Sequence, residues 1–153
     1  MQALLDGDLA AADATCGLRL PEFFLSEGWL WRIRVDQLDR DPKCAPWLVR
    51  AGVTGDERTV VGHAGFHGPP DSDGVVEVGY TVVPELRGRG HGAALLRALI
   101  DEASAGGAAG VRASISPENA PSLAMVRRLG FRHVGEQWDD EDGLELLFLL
   151  SLA

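Results

Sequence analysis

The chain has 153 residues, of which 46% are hydrophobic and 24% charged, and its formal net charge is −9. That length and balance suit one domain with an ordinary buried core and exclude a disordered chain. The negative balance argues against binding along a nucleic-acid backbone, which needs a basic face; it is compatible with a cationic small molecule or peptide as partner, or with solubility alone.

No apolar run reaches the roughly 18 to 20 residues of a membrane span, and residues 1–20 carry no basic segment followed by an apolar one. A cytoplasmic protein without membrane contact is therefore expected. Cys16 and Cys44 belong to no CxxC pair and read as free thiols of a reducing compartment. Lys43 is the only lysine against thirteen arginines, and the alanine and glycine content suggests a GC-rich bacterial genome. No repeat, low-complexity tract or linker divides residues 1–153, so a single domain is expected.

In chain order, residues 8–16 (DLAAADATC) predict a short helix ended by Gly17. In residues 29–38 the alternation Trp29, Trp31, Ile33, Val35 favours a strand, yet a helix is preferred because a clearer strand, Trp47 to Val53, follows so soon. Thr54-Gly55-Asp56-Glu57 reads as a turn and Thr59 to Phe66 as a strand, making a hairpin. Residues 67–74 (HGPPDSDG) are loop, and Val75 to Val83 is a third strand. Ala93 to Ser104 is a helix with Leu95, Leu96, Leu99, Ile100 and Ala103 on one face, stopped by Gly106 and Gly107. Val111 to Ser116 is a strand. Asn119 is an N-cap for a helix through Leu129, with Pro121 in its first turn and Gly130 as its stop. Phe131 to Trp138 and Leu144 to Leu152 are strands around the acidic turn DDEDG. The pattern predicts an α/β (α+β) fold: a mixed, mostly antiparallel sheet flanked by helices.

The turn "VVPELRGRGHG", Val82 to Gly92, joins a strand to a helix. A helix start carries N–H groups without internal partners, and the helix dipole favours an anion there. Gly88, Gly90 and Gly92 let backbone approach that anion, and Arg87 and Arg89 add charge-assisted bonds. The physical reading is a pyrophosphate cradle; a glycine turn with two solvated arginines is the other. A P-loop is excluded because no Gly-Lys-Ser/Thr occurs, and a dinucleotide fingerprint because GRGHGA misplaces its third glycine.

The stretch resembles the acetyl-CoA motif of the GNAT superfamily of N-acetyltransferases, [QR]-x-x-G-x-[GA], here Arg87, Gly90 and Gly92. "ISPENAPSLAMVRRLGF" resembles the strand, Asn cap, helix and Leu-Gly-Phe corner of the same family. The block "EVGYTVVPELRGRGHG" is especially similar to the branch of ribosomal-protein N-terminal acetyltransferases. The resemblance covers roughly residues 47–152; residues 1–46 match loosely, as N-terminal helices, and the family's usual first strand is missing. The resemblance implies a strand pair that splays to admit pantetheine as if it were an added strand. It assigns Val82 and Val83 to pantetheine and Arg87, Gly88, Arg89, Gly90, His91 and Gly92 to the pyrophosphate. Ala93 lies at the same helix start. Asn119 would touch the pantetheine arm or cap its helix, roles that coexist. The co-substrate so implied is acetyl-CoA, with no metal.

Acyl transfer to an amine needs a base, an oxyanion donor and a route for the leaving thiolate. Glu77 is the candidate base: it stands in an apolar strand ten residues before Arg87, where the family often places a catalytic glutamate, and burial would make it a usable base. The alternative is an edge-facing or salt-bridged glutamate. His63 and His67 share one strand face and its end, as base, acceptor contacts or ordinary histidines; two histidines with loop aspartates fall short of a metal site. The resemblance places the oxyanion donor at a backbone N–H near Val82. It also places a tyrosine four residues before the Gly-Phe pair, where this chain has Val126. Ser122 or water is left as proton donor, Ser122 being equally suited to bond Asn119. The expected acceptor is an amine-bearing small molecule or peptide N-terminus; a non-catalytic acyl-CoA-binding domain is the rival class. The apolar last strand reads mostly as core, with pairing across a homodimer as the other outcome.

Overall fold

The computed structural model describes residues 1–55, 58–140 and 143–152. Four helices come first: α1 (Gln2–Leu5), α2 (Leu9–Cys16), α3 (Phe23–Ser26) and α4 (Gly28–Arg40). The strands are β1 (Arg50–Val53), β2 (Val60–Phe66), β3 (Val75–Val82), β4 (Gly110–Ile115), β5 (Arg132–Asp139) and β6 (Gly143–Ser151). Helix α5 (His91–Ala105) lies between β3 and β4, and α6 (Ala120–Arg128) between β4 and β5.

The six strands form one sheet in the order β1-β2-β3-β4-β6-β5. Among the described residues only β3 and β4 run parallel; the other pairings are antiparallel. Leu95, Leu96, Leu99 and Ala103 of α5 and Leu123, Met125 and Val126 of α6 pack with Phe66, Val76, Val78 and Phe148 of the sheet. The second apolar cluster joins α1 to α4 through Leu4, Phe24, Leu30 and Trp31, with Val60 of β2. Helices thus cover both sheet faces, and no described helix is long and apolar enough to cross a membrane.

Residues 29–38 are helical. Leu30, Trp31 and Arg34 are buried while Trp29 and Ile33 are exposed, the stripe of a 3.6-residue period and not of a strand. Gly17 and Gly130, both at positive φ, end their helices as expected. The strand expected from Trp47 begins only at Arg50. Pro42 and Pro46, with Asp41 Oδ1 accepting from the Lys43 N–H at 3.1 Å, wind Pro42–Trp47 into a 3₁₀ turn. Helix α5 starts two residues earlier than expected because Gly90 already turns the chain. The short helices α1 and α3 fall within the N-terminal helices expected over residues 1–46 but were not individually placed; neither is long enough to show a period. In the two acidic turns, Asp56, Glu57, Glu141 and Asp142 lie outside the described residues. Strand β6 has β4 on one edge and β5 on the other, so the last strand has no edge left to pair across a homodimer; β5 is the outer strand.

Candidate active site

The parallel ladder between β3 and β4 is short. It joins Val75, Val76 and Glu77 to Gly110, Val111 and Arg112 and then stops, while β3 continues along β2 as far as Val82. The His67 N–H donates to the Glu77 carbonyl (2.8 Å) and the Val83 N–H to the Val61 carbonyl (2.9 Å). Antiparallel bonding alternates along a strand. The amides of Gly79 and Thr81 therefore face β2, and those of Tyr80 and Val82 face the opening toward β4. Val83 spends its N–H on β2; Val82 does not.

The strap from β3 to α5 lies at one end of this opening. Gly88 (φ 75°) and Gly90 (φ 86°) adopt a conformation that side chains disfavour. A Cβ built on either meets nothing within 4 Å, so backbone is approachable there. No side chain caps α5; its first internal bond runs from the Ala94 N–H to the Gly90 carbonyl. The N–H groups of His91, Gly92 and Ala93 precede it, the arrangement that receives an anion. Arg89 is exposed. The exposed Arg87 lies back on β3, its Nε donating to the Val82 carbonyl at 3.1 Å.

Across the opening stands the start of α6. Asn119 Oδ1 accepts from the Ser122 N–H at 3.2 Å, so the N-cap expected from sequence is formed. Ser122 Oγ in turn accepts from the Tyr80 hydroxyl, 3.4 Å away. Burial raises the Tyr80 pKa, with the Ser122 bond acting against it, so the phenol keeps its proton at neutral pH. Val126, where the family resemblance places a tyrosine, is fully sealed in the core at 0% exposure.

A cavity of about 750 Å³ opens from this gap onto the face covered by α4, and Glu77, His67, Tyr80, Ser122 and Arg34 all line it. Glu77 is partly buried. Its Oε1 accepts from the Ser114 hydroxyl (2.7 Å) and lies 3.5 Å from His67 Nδ1; its Oε2 is 3.7 Å from Arg112 Nε. The salt-bridged alternative and the cavity position are thus both present in one side chain. Burial lowers the His67 pKa, opposed first by Glu77. The ring is neutral at pH 7 and half exposed beside the carboxylate.

His63 lines the same cavity, on the side toward α3 and α4. It packs against Phe23, Phe24 and Trp31, and its Nε2 is 3.1 Å from Glu27 Oε2. Burial lowers its pKa more than Glu27 raises it. The structure therefore brings Glu77 and His67 together and leaves His63 paired with α4's N-cap residue. Reading the sequence missed Tyr80, Ser114, Arg112 and Arg34 as neighbours of this site. Arg34 alone left a trace, a charge on the apolar stripe of α4.

Residues 12–131 match the acetyltransferase (GNAT) family. A candidate acetyltransferase from Salmonella typhimurium, in a structure with its cofactor acetyl-CoA, is 33% identical with a TM-score of 0.56; the match covers 66% of this chain and 63% of that one. An N-acetyltransferase from Staphylococcus aureus Mu50 shares the fold at 23% identity and a TM-score of 0.61, covering 84% of this chain and 78% of that one. The ribosomal-protein-S18-alanine N-acetyltransferase from Escherichia coli does so at 20% identity and 0.56, covering 71% and 70%. The chain thus spans a little under two thirds of the length of the Salmonella protein. The comparison with curated proteins gives no match.

Proposed function

The chain belongs to the acetyltransferase (GNAT) family, and from that premise we propose that it moves the acetyl group of acetyl-CoA to a primary amine of a small molecule or peptide N-terminus. One observation carries the reading. The parted β3 and β4 form a slot with an uncapped helix start at one end and Glu77 at the other.

In this reading the pyrophosphate rests on the N–H groups of His91, Gly92 and Ala93, with Arg87 swinging off Val82 to meet it. Gly88, Arg89 and Gly90 shape the cradle. The pantetheine amides take the edge of β3 that Tyr80 and Val82 present, in the manner of an added strand. The amine nitrogen attacks the thioester carbon; a C–N bond forms and the C–S bond breaks. Glu77, directly or through His67 or water, takes the proton the amine gives up. A backbone N–H of that β3 edge left free by pantetheine meets the oxyanion. The thiolate leaves toward Ser122, which with water is the proton source. The reading treats residues 1–153 as one catalytic domain of a bacterial cytoplasm, with no metal in the step.

The sealed position of Val126 favours a second reading, an acyl-CoA-binding partner domain without turnover, because α6 brings no phenol to the slot. A thiol-release assay with acetyl-CoA across amine classes, run beside calorimetry with acetyl-CoA, separates the two. Release dependent on an amine supports transfer. Tight binding without release on any amine supports the partner domain, and no binding removes both.

A further inference from the structure

Arg34 is 7% exposed and stands on the buried stripe of α4 with Leu30 and Trp31. Its Nη1 donates to Gln37 Oε1 (2.6 Å) and to the His67 carbonyl (3.3 Å). Its Nε is buried with no acceptor. Among the described residues no carboxylate lies within ion-pair distance of it. A guanidinium so placed has lost most of its water and gained no counter-ion, which is costly unless something else supplies the negative charge. Desolvation accordingly lowers its pKa.

Arg34 lines the same cavity as Glu77. The two flank one residue: Arg34 reaches the His67 backbone carbonyl, and Glu77 lies 3.5 Å from the His67 ring. Opposite charges therefore line one cavity, on either side of His67. On the same helix, five residues and one residue before Arg34, Trp29 and Ile33 line the cavity at 60% and 41% exposure, an apolar rim.

We propose that Arg34 receives a carboxylate of the acceptor, and that the acceptor is a free α-amino acid with an apolar side chain. Its amine meets Glu77, its carboxylate meets Arg34, and its side chain lies toward Trp29 and Ile33. This rests on the acetyl-transfer reading. A polyamine or aminoglycoside would bring further cations to Arg34. A peptide N-terminus has no carboxylate next to its amine, because that carboxyl is an amide.

The test compares amine acceptors that differ in the anion, with rates referred to the concentration of free amine because the carboxylate also raises the amine's basicity. Rates of CoA release from acetyl-CoA are measured with L-leucine and L-phenylalanine, each beside its primary amide. The free acids are expected to exceed their amides in kcat/KM by about tenfold or more, the effect of one charge-assisted pair. Arg34→Gln should collapse that ratio toward one, and Arg34→Lys should keep part of it. Amides as good as acids in the native protein would overturn the proposal, as would an acid preference that survives Arg34→Gln. If Arg34→Gln does not fold, the native ratio decides alone. Acetylation of polyamines with none of either leucine or phenylalanine sinks the amino-acid assignment and leaves acetyl transfer standing. If no amine of any class is acetylated, the transfer reading fails. Calorimetry with N-acetyl-L-leucine against its amide then decides the Arg34 assignment, with equal binding of the two counting against it.

Discussion

The hydroxyl of Tyr80 on β3 reaches Ser122 Oγ on α6, 3.4 Å away, across the opening where β3 and β4 part. A strand tyrosine thus meets the serine that the sequence offers as a proton donor, while the helix position expected to carry a phenol is buried. The thiolate of CoA is a fair leaving group near neutral pH, so losing a proton donor should cost less than losing a base. Ser122→Ala is expected to lower kcat roughly tenfold, or about 1.4 kcal/mol. If the pair acts as a unit, Tyr80→Phe should cost a similar amount and the double variant little more than either. Steady-state kinetics on the four proteins checks this; independent, multiplying losses would show that the two side chains act separately.

Glu77→Gln keeps the side-chain shape and the approach to Ser114 but removes the base. The expected loss is about 10²- to 10⁴-fold in kcat, with acetyl-CoA affinity unchanged by calorimetry. The acidic limb of the pH–rate profile should go with it. Normal turnover with an unchanged profile would move the base to His67, which lies 3.5 Å from the carboxylate.

The cradle can be probed without straining the backbone. Gly90→Val is a poor probe, because φ 86° penalises any side chain before a ligand arrives. Gly92 is better: its φ is ordinary, and an added Cβ sits 3.7 Å from Val82 and 3.8 Å from Met125, normal contact distances. Gly92→Ala should hold or raise the melting temperature, since alanine is the better helix residue. Calorimetry should nevertheless show weaker acetyl-CoA binding if backbone at that position touches the ligand. Arg87→Glu should weaken binding by about tenfold or more, through a lost charge-assisted bond.

His63 makes stability fall on the acid side. Its folded pKa lies below the ordinary 6.5 because burial outweighs Glu27, so the unfolded chain binds more protons once pH drops below about 6.5. Stability is therefore full above that pH and declines below it, with His67 acting in the same direction. Thermal melts between pH 7.5 and 5 should show the decline. His63→Gln, which can still bond Glu27, should flatten part of it.

Val126→Tyr tests whether α6 has room for a phenol. At 0% exposure among core residues, Val126 has none. Overpacking should cost about 1 to 3 kcal/mol in urea unfolding, with no gain in turnover. A stable, faster variant would mean that this side of α6 opens on the slot.

What the sequence showed of this site was what a few neighbouring residues decide among themselves. The positive φ of Gly88 and Gly90 and the Asn119 cap belong to single turns, so a short window contains their cause. The 3₁₀ turn before β1 was missed because two prolines outweighed the apolar run through Trp47. The charged and phenolic neighbours of Glu77 were not legible for a different reason. Arg34, Tyr80, Arg112 and Ser122 come from four elements, and only the packing of α4, β3, β4 and α6 makes them line or border one cavity. Arg34 is the partial exception, since a guanidinium on an apolar stripe is visible before any fold is known.

Because three rungs alone join β3 to β4, the sheet is mechanically two leaves, β1-β2-β3 and β4-β6-β5, stitched at one end. An extended ligand bonded along Tyr80 and Val82 would add the missing stitches. Its effect would then be felt well beyond its own contacts, as a tighter join between two leaves that share one core but few strand bonds. Amide hydrogen exchange should report this as slowed exchange at Tyr80 and Val82 and, more tellingly, as one shared opening rate for the two leaves when acetyl-CoA is bound.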